Sequence, residues 1–446
     1  MPPVFKAPKL PLAVLCLFLS APVGLAADTA IAAPSDAWWS AHGQTTAIAQ
    51  YHPPFYARYS GANSLGDGNQ FDPSFTVTLF LGARIMPGLE AYLDPELSAG
   101  SGFSGTTGLA DFPNGEISKV GSPRPAVKVA RAYLQWELGF GGPTETLASA
   151  ANQVPETRDL SRLTLLAGKF SLSDFFDVNS YAQDARSQFL NTGLIDNGAW
   201  DFAADTFGYT DGLYAELNQR AWALRFAEVQ EPAVANGAVL DSDLEHAHSE
   251  NLEAEGRWWA WTHPGKLRFL TFWNRADMGN YRVSLAAPAS DGVNIHDSEV
   301  PGTLKYGFGL NLEQEITASL GLFSRVGWNN GQTETWAFME IDQDASVGCQ
   351  LQGDAWGRPQ DHCGLAYVIS GLSAPHLEYL AAGGYGFIIG DGALDYAPEQ
   401  VIETYYSWCP VDGLTLSPDY QFFDHPAYNQ ARGPVDVFSL RIHYEL

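Results

Sequence analysis

The chain has 446 residues, with 51 Asp and Glu against 24 Lys and Arg, a formal charge of −27. Such an acid excess disfavours nucleic acid as a partner, because holding a phosphate backbone requires clustered Lys and Arg. Aromatics at 13%, 44 glycines and only 17% charged residues argue against a helical or α/β enzyme, and suit one large closed barrel of short strands and tight turns.

Residues 1–27 read as an export signal: Lys6 and Lys9 precede an apolar run from Leu10 to Leu19, and small residues end at Ala26 and Ala27. Cleavage there removes two lysines and no acid, and discards Cys16. Residues 28–446 carry no internal repeat, low-complexity tract or linker, so they read as one domain. No later run of about 18 apolar residues follows. An exported chain without such a helix is either a secreted protein or a membrane barrel.

In a barrel strand every second side chain meets lipid while its neighbours meet a wet lumen, so the sequence alternates apolar and polar for about ten residues. The first such segment puts Phe75, Val77, Leu79 and Leu81 on one face. The Gly- and Pro-containing stretch 115–125 reads as a loop. Alternation resumes with Ala130, Ala132, Leu134, Trp136, Leu138 and Phe140 toward lipid and Arg131, Tyr133, Gln135, Glu137 and Gly139 toward the lumen.

Further along, Asp241, Asp243, Glu245, His246, His248 and Glu250 offer oxygen and imidazole donors, but an exposed acidic loop accounts for them and no metal is assigned. Leu252, Ala254, Gly256, Trp258 and Ala260 then alternate with Asn251, Glu253, Glu255, Arg257 and Trp259. Leu304, Tyr306, Phe308, Leu310 and Leu312 do so with Lys305, Gly307, Gly309, Asn311 and Glu313. A shorter run, Leu320, Leu322, Val326 and Trp328, is interrupted at Ser324.

The stretch 348–364 reads as a loop. Cys349 and Cys363 at its flanks form the natural disulfide pair of an exported chain, with Cys409 left over or exchanging for either. Gly384–Gly392 has neither the spacing nor the Lys of a phosphate loop, and no cofactor is expected. Pairs of carboxylates are the mark of a glycoside hydrolase, but with 51 acids chance pairs are expected, and no catalytic residue is assigned. The chain ends on Phe438, Leu440, Ile442, Tyr444 and Leu446 alternating with Ser439, Arg441, His443 and Glu445. That ending resembles the assembly signal of outer-membrane barrels, with Tyr444 in place of the usual terminal aromatic.

These segments predict an all-β fold, a closed antiparallel transmembrane β-barrel. Sixteen strands allow about 26 residues each for a tilted strand, a turn and an outer loop. Eighteen strands fit as well.

Blocks of sequence add a family resemblance. His42-Gly43-Gln44, Tyr59 to Leu65 (YSGANSL), Asp94 to Leu97 (DPEL) and Phe112 to Glu116 (FPNGE) come first. Ala167 to Phe170 (AGKF), Asp174 to Asp177 (DFFD), Phe189 to Asn191 and Asp196 to Asp201 (DNGAWD) follow. Tyr379 to Gly384, Gly390 to Gly392, Pro398 to Gln400, Ser417 to Gln421 and Arg432 to Phe438 complete the series. In this order they resemble the carbohydrate-selective porin family, OprB type, over nearly the whole mature chain. The resemblance implies a sixteen-stranded barrel in the bacterial outer membrane, with a loop-narrowed pore that passes monosaccharides such as glucose by diffusion and has no enzymatic activity.

A sugar filter needs hydrogen-bonding side chains at a constriction, with aromatic faces for the apolar side of the ring. Arg131, Tyr133, Gln135 and Glu137 are lumen candidates by alternation, since Arg or Lys facing lipid at the midplane costs about 2–4 kcal/mol. Lys169, Trp200, Asp201, Glu399 and Arg432 join them as positions in the family blocks. Each of these polar groups has a plainer alternative role, solvating the wall or bracing a folded-in loop. The expected partners are small sugars and outer-membrane lipid, and association into a homo-oligomer is compatible with the reading. Two rivals stand beside it: a secreted β-rich glycan-binding protein or hydrolase, and a plugged structural barrel.

Overall fold

The computed structural model describes residues 37–117, 122–260, 262–286 and 292–446. The expected export signal lies outside them. The strands run in chain order from β1 (Trp39–His52), β2 (Gln70–Met86), β3 (Leu89–Gly100) and β4 (Ser122–Gly139) through β5 (Thr144–Leu147), β6 (Glu156–Asp159) and β7 (Arg162–Phe170). Next come β8 (Thr210–Asn218), β9 (Trp222–Gln230), β10 (His248–Ala260), β11 (His263–Ala276), β12 (Thr303–Thr317) and β13 (Leu320–Asn329). The last are β14 (Gln343–Gln352), β15 (His362–Gly371), β16 (Glu399–Val411), β17 (Leu414–Asp424) and β18 (Val435–Glu445). All but β5 and β6 form one closed antiparallel sheet, and those two pair only with each other.

Closure is made by β1 against β18, from Gln44 opposite Glu445 to Tyr51 opposite Phe438. Gly43 and Leu446 exchange both backbone hydrogen bonds at the end of this seam, 3.2 and 2.8 Å. Closure is what a sheet in hydrocarbon requires, because an unpaired edge finds no water there. Connections at one end are mostly tight turns, as at 87–88, 219–221 and 412–413, whereas those at the other are long. In outer-membrane barrels the short turns face the periplasm and the long loops the outside.

The expected alternation is present. Leu79, Leu81, Leu134, Trp136, Leu252, Leu310, Leu312, Leu322, Val326, Phe438 and Leu440 are exposed on the outer face. Lys305, Asn311, Glu313, Arg325, Ser439, Arg441 and His443 are buried toward the lumen.

One parity is corrected. β3 pairs Asp94 with Arg131 but Pro95 with Val129, so Ala130 is the extra residue of a β-bulge. Val127 and Val129 therefore face outward, and Ala130, expected on the lipid face, is fully buried. Lys128 and Arg131 both point inward although they are three positions apart; each pairs with a carboxylate there, Lys128 with Glu96 and Arg131 with Asp94 and Asp174.

The expected disulfide is also corrected. Cys349, Cys363 and Cys409 are free thiols. The stretch 348–364 is largely the hairpin of β14 and β15, and its register sets Cys349 opposite Leu365 and Cys363 opposite Leu351. The two cysteines are diagonal neighbours, for which the Cα separation is about 7–8 Å, beyond the usual disulfide range of about 4.4–6.8 Å.

Candidate functional site

Loop 171–209 is too apolar to stand in water. Phe176, Phe189, Leu190, Leu194, Trp200 and Phe202 are all buried in one cluster with wall residues such as Leu270, Phe323 and Tyr405. The loop thus folds into the barrel, and the lumen supplies its apolar environment.

Polar wall side chains satisfy the backbone that this inward fold takes out of water. Arg325 of β13 donates Nε to Asp177 Oδ2 at 2.8 Å, Nη1 to the Leu194 carbonyl at 2.7 Å and Nη2 to the Ala182 carbonyl at 2.7 Å. Arg441 of β18 donates to the carbonyls of Ala185 and Gln188, both at 2.7 Å. Glu403 of β16 accepts the amides of Leu190 and Asn191 at 2.5 and 3.0 Å. Gly309 and Gly327 leave room for Asn197, since a Cβ at either would lie 2.1 or 2.0 Å from its side chain.

Other segments narrow the lumen as well. In segment 101–117, Pro113 offers its carbonyl to Gln50 and Gln421 of the wall at 2.8 and 2.9 Å. From the short-turn end, the connection 140–161 that carries β5 and β6 reaches back inside. Asn152 donates to Asp94 at 2.9 Å, and the Val154 amide to the Tyr92 hydroxyl at 3.3 Å.

What remains is a cavity of about 570 Å³ bounded by β4, segments 101–117 and 171–209, Asn152, and the side chains of Phe338, Met339 and Ile388. Arg131 spans it to the inward loop, with Nε 2.7 Å from Asp174 Oδ2 and Nη2 2.5 Å from Oδ1. Its guanidinium carbon lies 5.4 Å from the centre of the Tyr209 ring. On the loop side Arg186 donates Nε to Glu116 at 2.8 Å. Tyr133 packs on Tyr92 with ring centres 5.0 Å apart. Asp196, on the loop, lines the same cavity. Burial, reinforced by the charge of Asp177, pushes its carboxyl up to about 7.

The structure separates the nine positions singled out in the sequence. Arg131, Tyr133 and Gln135 line this cavity together. Glu137, on the same face, is held by Arg158 at 2.6 Å in the support of the β5–β6 hairpin. Lys169 is opposite Ala132 and Asp211 in the sheet, which gives it outward parity, and its ammonium reaches the buried Asp205 of loop 171–209 at 3.2 Å.

The other four are buried braces. Trp200 donates its indole N–H to Asn251 at 3.0 Å. Asp201 accepts the amides of Trp336, Ala337 and Phe338 at 2.8–2.9 Å and pairs with Lys305 at 3.2 Å. Glu399 accepts the amides of Ala110 and Asp111 at 3.1 and 2.7 Å. Arg432 donates to the carbonyls of Tyr59 and Leu65, tying down loop 53–69. Sequence reasoning missed Asn152, Asp174, Arg186 and Tyr209. They belong to connections, where no alternation marks a facing; a cation inside a long apolar loop, as Arg186 is, was the available signal.

Among the described residues, His296, Glu299 and Glu334 form one group with metal-donor atoms within 4.8 Å of one another. It lies in loops 277–302 and 330–342, where Glu334 accepts the Gly279 amide at 2.6 Å. In the acidic stretch 241–250, His246 and Asp243 pair at 2.9 Å on an exposed loop.

Residues 62–446 match the family described as carbohydrate-selective porin, OprB family. No curated protein matches the chain in sequence. Among solved structures, the high-pH structure of Pseudomonas putida OprB is similar with a TM-score of 0.68 at 15% identity, over 91% of this chain and 94% of that one. The outer membrane channel DcaP of Acinetobacter baumannii gives a TM-score of 0.50 at 9% identity, over 92% and 97%. At these identities the likeness is one of fold.

Proposed function

The chain belongs to the OprB family of carbohydrate-selective porins, outer-membrane channels for sugars, and from that premise we propose that it passes small monosaccharides such as glucose by passive diffusion through the gap beside Arg131. The observation that carries this reading is the bridge from Arg131 on the wall to Asp174 on the inward loop, with Tyr209 against the guanidinium. A sugar is a ring edged with hydroxyls and faced with C–H. Arg131, Gln135 and Asn152 offer donors to the edge, and aromatic rings of the same cavity, Tyr133, Phe175 and Tyr209, offer faces. Such contacts are individually weak, and transport requires a solute that both enters and leaves.

In this reading Glu137, Trp200, Asp201, Glu399 and Arg432 hold the gap open without touching the solute. The mature domain is residues 28–446 after removal of 1–27. The apolar outer face meets outer-membrane lipid, and it leaves association between barrels open.

Liposome swelling with a panel of sugars tests the proposal. Monosaccharides should enter several-fold faster than disaccharides. Arg131→Ala and Gln135→Ala should compress that ranking, while Lys169→Ala, at a position of outward parity, should preserve it. An unaltered ranking in both cavity variants would remove these residues from the filter.

A further inference from the structure

Beyond the Arg131–Asp174 bridge, toward the short turns, lies a second cavity of about 380 Å³ that shares Asp174 and Phe175 with the first. Its wall is basic in an acidic protein. Arg158, Arg162, Arg225, Arg257, Lys266 and Arg268 line it, against four carboxylates, Glu145, Asp174, Glu216 and Glu255.

Two of these cations are placed against ordinary sheet preference. Arg257 of β10 is directly opposite Lys266 of β11, so both extend from the luminal face side by side. Like charges directly opposite destabilise a strand pair. Glu255 borders the cavity too, but both counter-ions are far less exposed than the cations they pair with. Glu255, 2.5 Å from Arg257, has a side chain only 3% exposed, and Glu313, 2.8 Å from Lys266, only 6%. Arg257 and Lys266 themselves are 28% and 33% exposed.

The carboxylates beneath are also shared. Glu255 serves Arg225 and Arg268 as well as Arg257, and Glu313 serves Arg268 as well as Lys266. Among the described residues, donors are left over. Arg257 gives N–H groups to Glu255, Gln219 and Asn218 from a fork of five, and Lys266 bonds Glu313 from an ammonium that has three.

We propose that Arg257 and Lys266 form a second solute site, on the periplasmic side of the constriction, that takes the carboxylate of an acidic sugar, an aldonate or a uronate. The proposal rests on the reading of the chain as a sugar channel and adds a charged substrate class to it. An arginine fork and an adjacent ammonium match a carboxylate, and Asn218 and Tyr214 on the same wall present polar atoms to a polyol. The cationic pair raises the local concentration of an anion in a channel whose overall charge would repel it.

Single-channel recording of the full-length protein in a planar bilayer tests this, with potassium gluconate, glucose and potassium acetate added on each side in turn. Gluconate should reduce the current at about one-tenth the concentration that glucose needs, the factor that one charge-assisted hydrogen bond supplies. In Arg257→Gln/Lys266→Gln the gluconate advantage should vanish while the glucose response persists. Lys266→Gln alone, which leaves Glu313 paired with Arg268, should lose part of it and guards against misfolding of the double variant.

Equal responses to gluconate and glucose in the wild type would overturn the site, as would an unaltered gluconate response in the variants. Acetate acting as strongly as gluconate would overturn the sugar-acid assignment. In each of these cases an intact glucose response would leave the sugar-channel reading standing; its absence from the wild type would be the failure of that reading instead.

Discussion

Asp196 is a buried acid on the inward loop. It lines the cavity, its Oδ1 without a hydrogen-bond partner among the described residues, and burial pushes its carboxyl up to about 7. In the unfolded chain the same group ionises near pH 4 (about 3.9). Between those values the native state binds more protons, so stability falls as pH rises through the window from about 4 to about 7. Thermal unfolding in detergent across that range should decline less steeply for Asp196→Asn than for the wild type. Identical slopes would mean that the group does not titrate there. Asp196 stood in a sequence block, yet nothing in the sequence marked its depth. Arg131, Tyr133 and Gln135 were legible because alternation fixes which face a strand residue takes. Asp201, Glu399 and Arg432 were singled out as positions in the family blocks, and a block does not say what its side chains touch; here they brace loops.

At the scale of elements, β4 carries the instructive departure. Plain alternation puts Val129 in the lumen, whereas the bulge at Ala130 puts it against lipid. Val129 is the eighth of the 18 residues of β4, so Val129→Arg should cost about 2–4 kcal/mol, measured by denaturant unfolding in lipid vesicles. A change near zero would return Val129 to the lumen. A bulge inserts one residue without altering composition, so a run such as Val127 to Trp136 looks continuous while its parity flips once. The hairpin of β14 and β15 misleads for a related reason. Glycine and aspartate made 348–364 look like a loop, but the barrel pairs the flanks of that stretch and leaves 353–361 as the connection, and this register separates the two cysteines. Loop 171–209 was readable as apolar; its inward course follows only when a lumen exists to receive it.

The whole molecule depends on one seam. Removing residues 435–446 would leave β1 and β17 with unpaired edges in hydrocarbon. The truncated chain should lose both the fast-migrating folded band on unheated gels and all channel activity in bilayers. Channels of normal conductance would contradict closure by β18. The sequence by itself determined that strands cross a membrane, that they alternate between lipid and water, and that they extend to the last residue, because a two-residue period is local and hydrocarbon punishes every exception. Only the tertiary structure decided between sixteen strands and eighteen, which loops fill the lumen, and which luminal charges border open space and which brace the plug. Those outcomes depend on pairings between residues far apart in the chain, such as Arg131 with Asp174 or Arg441 with Ala185, and no local pattern encodes the distance that closure imposes.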